Sequence, residues 1–275
     1  MHAEWAKHMH WERRAIPEFA AHWKGNFLIR GFASQPVNAN DADYLAQLDE
    51  LVDLADANAM YLALAWRAHT VNGPQPPYPD GAAADALAQL ASRYRTRPHV
   101  VYALQVEPHT AKLTFVTWTK LRPLFETMVD GIRSAARPFE PLVFIPGTDW
   151  SRDLSGAVDD PVDRPNVVYK SHPYNPSRDF QGLFGDAHDA GLPVFVGEFA
   201  PSNPDQKTCM DMDDVRDLFA FTRARGIGWA AWLLDYETHS LMHEADLSPT
   251  TYGAAVQAEL LAPVSRASSG AARFM

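Results

Sequence analysis

The chain has 275 residues, 47% of them hydrophobic and 21% charged, with 21 prolines. These proportions suit a globular protein with a core and exclude long disordered tracts, and the length fits one eightfold β/α barrel of about 250 residues. A formal net charge of −10, with no local Lys/Arg cluster to offset it, repels phosphate backbones, so no nucleic acid partner is expected and a neutral substrate fits better.

Cys209 is the only cysteine, which rules out a disulfide within the chain. The start, MHAEWAKHMHWERRAIPEF, has no apolar signal core, and no stretch is long enough to span a membrane. A soluble chain is therefore expected, without an export signal as written. No composition break or Gly/Ser linker divides the sequence, which predicts a single domain over 1–262 and a loose tail over 263–275.

Residues 3–24 read as a helix. The run NFLIRGF (26–32) then reads as a strand, followed by DADYLAQLDELVDLADANA (41–59), where Leu45, Leu48, Leu51, Val52 and Ala55 recur at helical spacing behind Asp41 as N-cap. MYLALAW (60–66) is the next strand and AAADALAQLASRYRTR (82–97) the next helix. The same alternation continues through HVVYALQVE (99–107), LRPLFETMVDGIRSAA (121–136), PLVFIP (141–146), NVVYKSH (166–172), DFQGLFGDAHDAG (179–191), PVFVGE (193–198), MDDVRDLFAFTRARG (212–226), IGWAAWL (227–233) and TYGAAVQAELLA (251–262). Gly191 and Gly226 are C-cap candidates. Several strand runs are apolar almost throughout, as in a parallel sheet covered on both faces.

Strict alternation implies a parallel sheet with right-handed crossovers. No Gly-rich dinucleotide turn follows any strand, so a barrel is expected over a doubly wound nucleotide-binding sheet. The count reaches seven strands where such a barrel has eight. The expected fold is thus a TIM-type (β/α)8 barrel lacking or replacing its first strand. Either the beginning is missing or another segment or subunit covers the gap, a homo-oligomer being one way to do so.

Barrel chemistry sits at the C-terminal strand ends. These ends carry Arg30, Trp66 with Arg67, Glu107, the segment Gly147–Trp150, His172 with Tyr174, Glu198, and Trp232 with Asp235. Retaining glycoside hydrolysis needs two carboxyl groups about 5–5.5 Å apart, and two glutamates at strand tips across a barrel mouth can supply them. Trp150 and Trp232 are placed to stack on sugar faces, and Trp118 is a further candidate platform. Taken singly, each residue reads as well as a structural one; their joint placement at strand ends carries the functional reading.

The order of these motifs resembles glycoside hydrolase family 5, the cellulase and mannanase family of retaining β-glycanases, over roughly residues 20–262. LIRGF supplies the family's arginine as Arg30, QVEP the acid/base as Glu107, HPYNP the His-x-Tyr pair as His172 and Tyr174, VGEFA the nucleophile as Glu198, and AAWLLD the tryptophan as Trp232. The resemblance implies that Glu107 protonates the leaving oxygen while Glu198 attacks the anomeric carbon. Arg30 and Tyr174 would orient Glu198, and His172 would tune Glu107 or the sugar subsite. It also implies an oligosaccharide or polysaccharide substrate and no cofactor or metal. Two positions depart from the family pattern: its Asn before the acid/base is Val106, and its His after the third strand aligns with Arg67, with His69 out of register. Because valine cannot hold a sugar hydroxyl, a catalytically impaired carbohydrate-binding protein is the alternative reading. A metal-dependent hydrolase, prompted by His8 and His10, fits poorly, since residues two apart on a helix face different ways. TDWSRD (148–153) lacks a nucleophile elbow and reads as a substrate loop. Loops 67–81, 108–120 and 199–213 would set the glycan. Localisation is open, with secretion or a periplasmic site allowed if the true start lies upstream.

Overall fold

The structure, a computed structural model, describes residues 2–110, 116–174, 179–201, 210–234 and 240–263. Its seven strands are β1 (Phe27–Ala33), β2 (Tyr61–Ala68), β3 (Val100–Ala103), β4 (Val143–Pro146), β5 (Val167–Ser171), β6 (Val194–Val196) and β7 (Gly228–Trp229). They form one sheet in chain order, every neighbouring pair parallel.

Helix α1 (His2–Trp23) precedes the sheet. The crossovers are α2 (Ser34–Asn38) with α3 (Ala42–Ala57), α4 (Gly81–Arg93), α5 (Trp118–Ala136), α6 (Thr148–Ser151) with α7 (Ser155–Asp159), and a π-helical turn (Gln181–Gly185) running into α8 (Asp186–Asp189). α9 (Met212–Arg225) and α10 (Thr251–Leu261) complete the series. None of the described helices is long and apolar enough to cross a membrane.

Local chemistry accounts for the helix ends. The Asp41 side chain accepts from the Asp43 and Tyr44 amides, satisfying donors that the first turn of α3 leaves free. Asp211 and Asp214 form a reciprocal capping box on α9, and Gly226 ends that helix at φ 69°, a conformation glycine adopts without a Cβ clash. Along α3 the expected stripe of Leu45, Leu48, Leu51, Val52 and Ala55 is buried.

The sheet separates two apolar regions. On its inner face Ala63, Ala65, Val101, Ala103, Phe144 and Val168 form a small cluster, floored by Phe27, Phe144 and Phe195, whose rings lie 5.1–5.6 Å apart. Alternate residues such as Leu62, Leu64 and Tyr169 face outward into the larger core shared with the helices. This alternation follows from the two-residue period of a strand.

The strand layer does not close: β1 and β7 stand at opposite ends of the strand order. The helix layer does, because α1 packs against both α3 and α10. It is anchored there by buried Trp11, Ala15, Ile16 and Trp23. Near the open edges the inner face is only half covered, at Phe27, Ile29 and Phe195.

Candidate active site

The site is built where the inner face meets the C-terminal strand ends. On β5, Val168 belongs to the inner cluster and Tyr169 to the outer core, so alternation sends Lys170 and then His172 inward. Both are 1% exposed. Beyond β3 the ladder extends through Leu104 N to Phe144 O and Val106 N to Trp66 O, which brings Glu107 to the mouth. Glu198 follows β6 by two residues.

His172 joins the two glutamates. Its Nδ1 lies 2.9 Å from Glu107 Oε1 and 3.5 Å from Glu198 Oε2. Tyr174 donates its hydroxyl to Glu198 Oε1 at 3.1 Å. Oxygen atoms of the two carboxyls and a His172 ring nitrogen all fall within 4.8 Å of one another, and the glutamate side chains are only 13% and 16% exposed.

Two carboxylates this close and this dry cannot both ionise cheaply. Burial first, and then repulsion by Glu107, push the Glu198 carboxyl up to about 8, against the opposing pull of Lys170, Tyr174 and Arg67. Burial acts on Glu107 as well. There it is outweighed by the hydrogen bond from His172 and by the electrostatic pull of His172, Lys170 and His109, so Glu107 stays below the usual range. Burial and the nearby Lys170 hold the imidazole of His172 down to about 4, so it is neutral at pH 7 and, with its proton on Nδ1, donates to Glu107. The pair therefore holds one proton at neutral pH, and in the free protein that proton leans toward Glu198.

The other predicted residues fall in several places. Arg30, on the β1 face opposite Ile29, forms an ion pair with Glu12 of α1 at 2.9 Å. Arg67, where the family resemblance leads one to expect histidine, is an arginine whose charge bears on Glu198. His69 sits 3.0 Å from the Ser34 hydroxyl. Trp150 is 43% exposed and stacks on His109 with ring centroids 3.3 Å apart. Its amide donates to Pro108 O, so it adjoins the Glu107 loop. Asp149, Trp150 and Ser151 take φ of 49°, 61° and 61°, three left-handed residues in succession, a conformation that costs energy for each non-glycine residue. Trp232 is 42% exposed, with its amide bonded to Phe199 O beside Glu198. Asp235 and Cys209 lie outside the described residues.

Trp118 corrects the sequence expectation. It begins α5, is 8% exposed and gives its indole N–H to Asp160 O at 2.7 Å, so it is core rather than a sugar platform. Ser151, in the TDWSRD segment, is buried and donates to Lys170 O at 3.0 Å, while its own carbonyl accepts from His172 N. That segment braces β5. Sequence reasoning overlooked Lys170, although a signal was present: a lysine inside VVYKS, a run otherwise read as covered on both faces.

Glu107, His172 and Glu198 each offer a ligand atom for a cation. The buried Lys170, whose charge acts on both carboxyls, opposes a dication there. His8 and His10 lie on α1.

The model for cellulase (glycosyl hydrolase family 5) matches residues 19–238. The chain belongs to glycosyl hydrolase family 5. Among characterised relatives, a cellulase from a Thermoanaerobacterium species is 23% identical over 251 residues, covering 86% of this chain and 64% of that protein. Endoglucanase Z of Dickeya dadantii is 26% identical over 194 residues, covering 69% and 42%. The chain thus spans less than two thirds of the length of these relatives. Its fold matches a Saccharophagus degradans β-glucanase solved with cellotetraose, at TM-score 0.77 and 21% identity, covering 91% of this chain and 82% of that one. It also matches the catalytic domain of Thermobifida fusca endoglucanase Cel5A, at TM-score 0.76 and 20% identity, covering 93% and 88%.

Proposed function

We propose that this chain is a retaining β-glycosidase acting on β-linked glycans, as a single catalytic domain over 1–262 with Glu107 as acid/base and Glu198 as nucleophile. The observation that carries the reading is the buried glutamate pair, with carboxyl oxygens within 4.8 Å. Retaining enzymes hold their carboxyl groups about 5–5.5 Å apart, whereas inverting ones leave about 6.5–9.5 Å for a water.

In the first step Glu198 attacks the anomeric carbon and forms a glycosyl ester, while Glu107 gives its proton to the departing glycosidic oxygen. Water then attacks the ester with Glu107 as base, releasing the sugar and restoring both groups. The chemistry requires the proton on Glu107. The resting preference for Glu198 differs from that state only in the position of one proton, with no change in total charge. The carboxyl oxygens of the two glutamates lie within 4.8 Å of one another, so the proton has a short path from Glu198 to Glu107. Tyr174 then donates to the ionised nucleophile. Trp232, beside Glu198, and Trp150, beside the Glu107 loop, offer exposed faces for sugars on the two sides of the scissile bond.

The names of the relatives favour β-1,4-glucan over mannan. Val106 favours the second reading, a carbohydrate-binding protein with impaired turnover, because it removes a donor to the sugar. The test is reducing-sugar release from β-glucans, mannans and xylans by the chain and by Glu198→Gln, with the anomer of the first product followed by NMR. Activity that falls by at least about 10³-fold in the variant, with a β-configured first product, supports the proposal. Oligosaccharide binding without release by either protein overturns it in favour of the second reading.

A further inference from the structure

Lys170 is the one buried group at the site that the two-carboxylate scheme leaves without a task. Its side chain is 1% exposed, and a buried ammonium is costly unless it is compensated. Its Nζ donates to two main-chain oxygens, Val106 O at 3.2 Å and Gln105 O at 3.4 Å. Those carbonyls belong to the segment that delivers Glu107. The stem is seated against Gly197, where a Cβ would lie 2.4 Å from Lys170 Cγ and Cδ. Gly197 directly precedes Glu198, so one side chain touches the backbone carrying each glutamate.

The titratable and charged neighbours come from every side of the cavity. They are Arg67 on β2, Glu107 and His109 beyond β3, His172 and Tyr174 on and after β5, Glu198 beyond β6, and Tyr252 on α10. Both glutamates act on Lys170 and it acts on both in return. With one proton on the pair and the ammonium charged, Lys170, Glu107 and Glu198 sum to zero. Without the ammonium, the same pair would bury an uncompensated negative charge.

We propose that Lys170 is a positioning residue for the glutamate pair, clamping the Gln105–Val106 main chain beneath Glu107 and supplying the positive charge that lets the pair hold one proton and one negative charge inside the barrel. The idea rests on the glycosidase reading for its catalytic meaning, but its electrostatic content stands apart from turnover. Either tautomer of the pair is neutral overall when Lys170 is charged, so the proton can move between the glutamates without creating net charge. Burial tends to discharge the lysine, down to about 8, and the two glutamates oppose this.

The test is a carbon-13 NMR titration of the glutamate carboxyls in the intact chain and in Lys170→Met, which keeps the length of the stem and removes the charge. Loss of the compensating charge should raise the first ionisation of the pair by about one pH unit or more, a tenfold change. A shift of less than about 0.3 unit would overturn the proposal. If Lys170→Met does not fold, Lys170→Met/Glu107→Gln removes the ammonium together with the carboxylate that carries the pair's negative charge and should recover a folded protein. Failure of the double variant as well as the single would assign Lys170 to packing alone and likewise overturn the proposal. The readout needs no turnover. A shifted titration in a chain that hydrolyses nothing would sink the glycosidase reading and leave Lys170 in its role, and an unshifted one in an active enzyme would do the reverse.

Discussion

The Glu198 carboxyl offers a test of burial that is independent of activity. Its ionisation in the fold is raised to about 8, by burial and then by Glu107, whereas in the unfolded chain it titrates near 4.3. Between those values the folded state binds a proton that the unfolded state does not, so this group makes stability fall as pH rises. His172, depressed to about 4, works oppositely, but only below about 6.5, and Lys170 enters only above about 8. From pH 6.5 to 8 the slope therefore belongs to Glu198 among these groups. Across that window wild type should lose up to about 2 kcal/mol relative to Glu198→Gln, since one proton corresponds to about 1.36 kcal/mol per pH unit. In a chain of this size that is roughly 4–8 °C in Tm. Parallel Tm–pH curves for the two proteins would refute the raised ionisation. The glutamates, His172 and Tyr174 were legible in the sequence because each stands at the end of an apolar run. Lys170 and Arg67 were not assigned a task, because their effect depends on which side chains alternation brings together across strands distant in sequence. Arg30 shows the same limit: a strand-end position did not reveal its ion pair with Glu12, a residue of the preceding helix.

At the scale of elements, all seven strand runs and the long helices could be read, since both periods are written in consecutive residues. The ends of the runs were less legible. PVFVGE and IGWAAWL produce strands of three and two residues, because the ladder gives way to loop where the chain turns into the mouth. The β6–α9 junction holds a tight fit at the site, and two glycines separate packing from propensity. At Gly197 an added Cβ would meet Lys170 at 2.4 Å and His172 Nε2 at 3.0 Å. Gly197→Ala should cost about 1–3 kcal/mol through overpacking and lower turnover along with it. Gly131, inside α5, has nothing within 4 Å of an added Cβ, so Gly131→Ala should raise stability by about 0.5–1 kcal/mol. Chemical denaturation of the two variants checks both signs. A neutral Gly197→Ala would mean that the Lys170 stem can yield, weakening the clamp on the pair.

For the whole molecule, the open strand layer throws weight onto α1. Seven strands in linear order leave two sheet edges, which proteins normally cover or blunt. Among the described residues, the helix packed against both α3 and α10 is α1. Its attachment is apolar and specific: Trp23 is fully buried, its ring lies tilted against Phe19 at 5.7 Å, and a Cβ at Gly253 of α10 would sit 3.0 Å from it. The Glu12–Arg30 ion pair fixes the same helix to β1. Truncation of a buried tryptophan removes that contact and leaves a cavity, so Trp23→Ala should cost about 3–5 kcal/mol. The loss should also be uneven. Amides of α1 and β1 should exchange with solvent faster relative to those of β3 to β5, which have strands on both sides and keep their helices. His10→Ala, at an exposed position on the same helix, should change stability by less than about 0.5 kcal/mol. Hydrogen exchange followed by mass spectrometry separates the outcomes. Uniform acceleration over the sheet in Trp23→Ala would show that α1 is part of one cooperative core. Acceleration confined to α1 and β1 would show that the ring can open at that seam while the strands bearing Glu107, Lys170 and Glu198 stay folded.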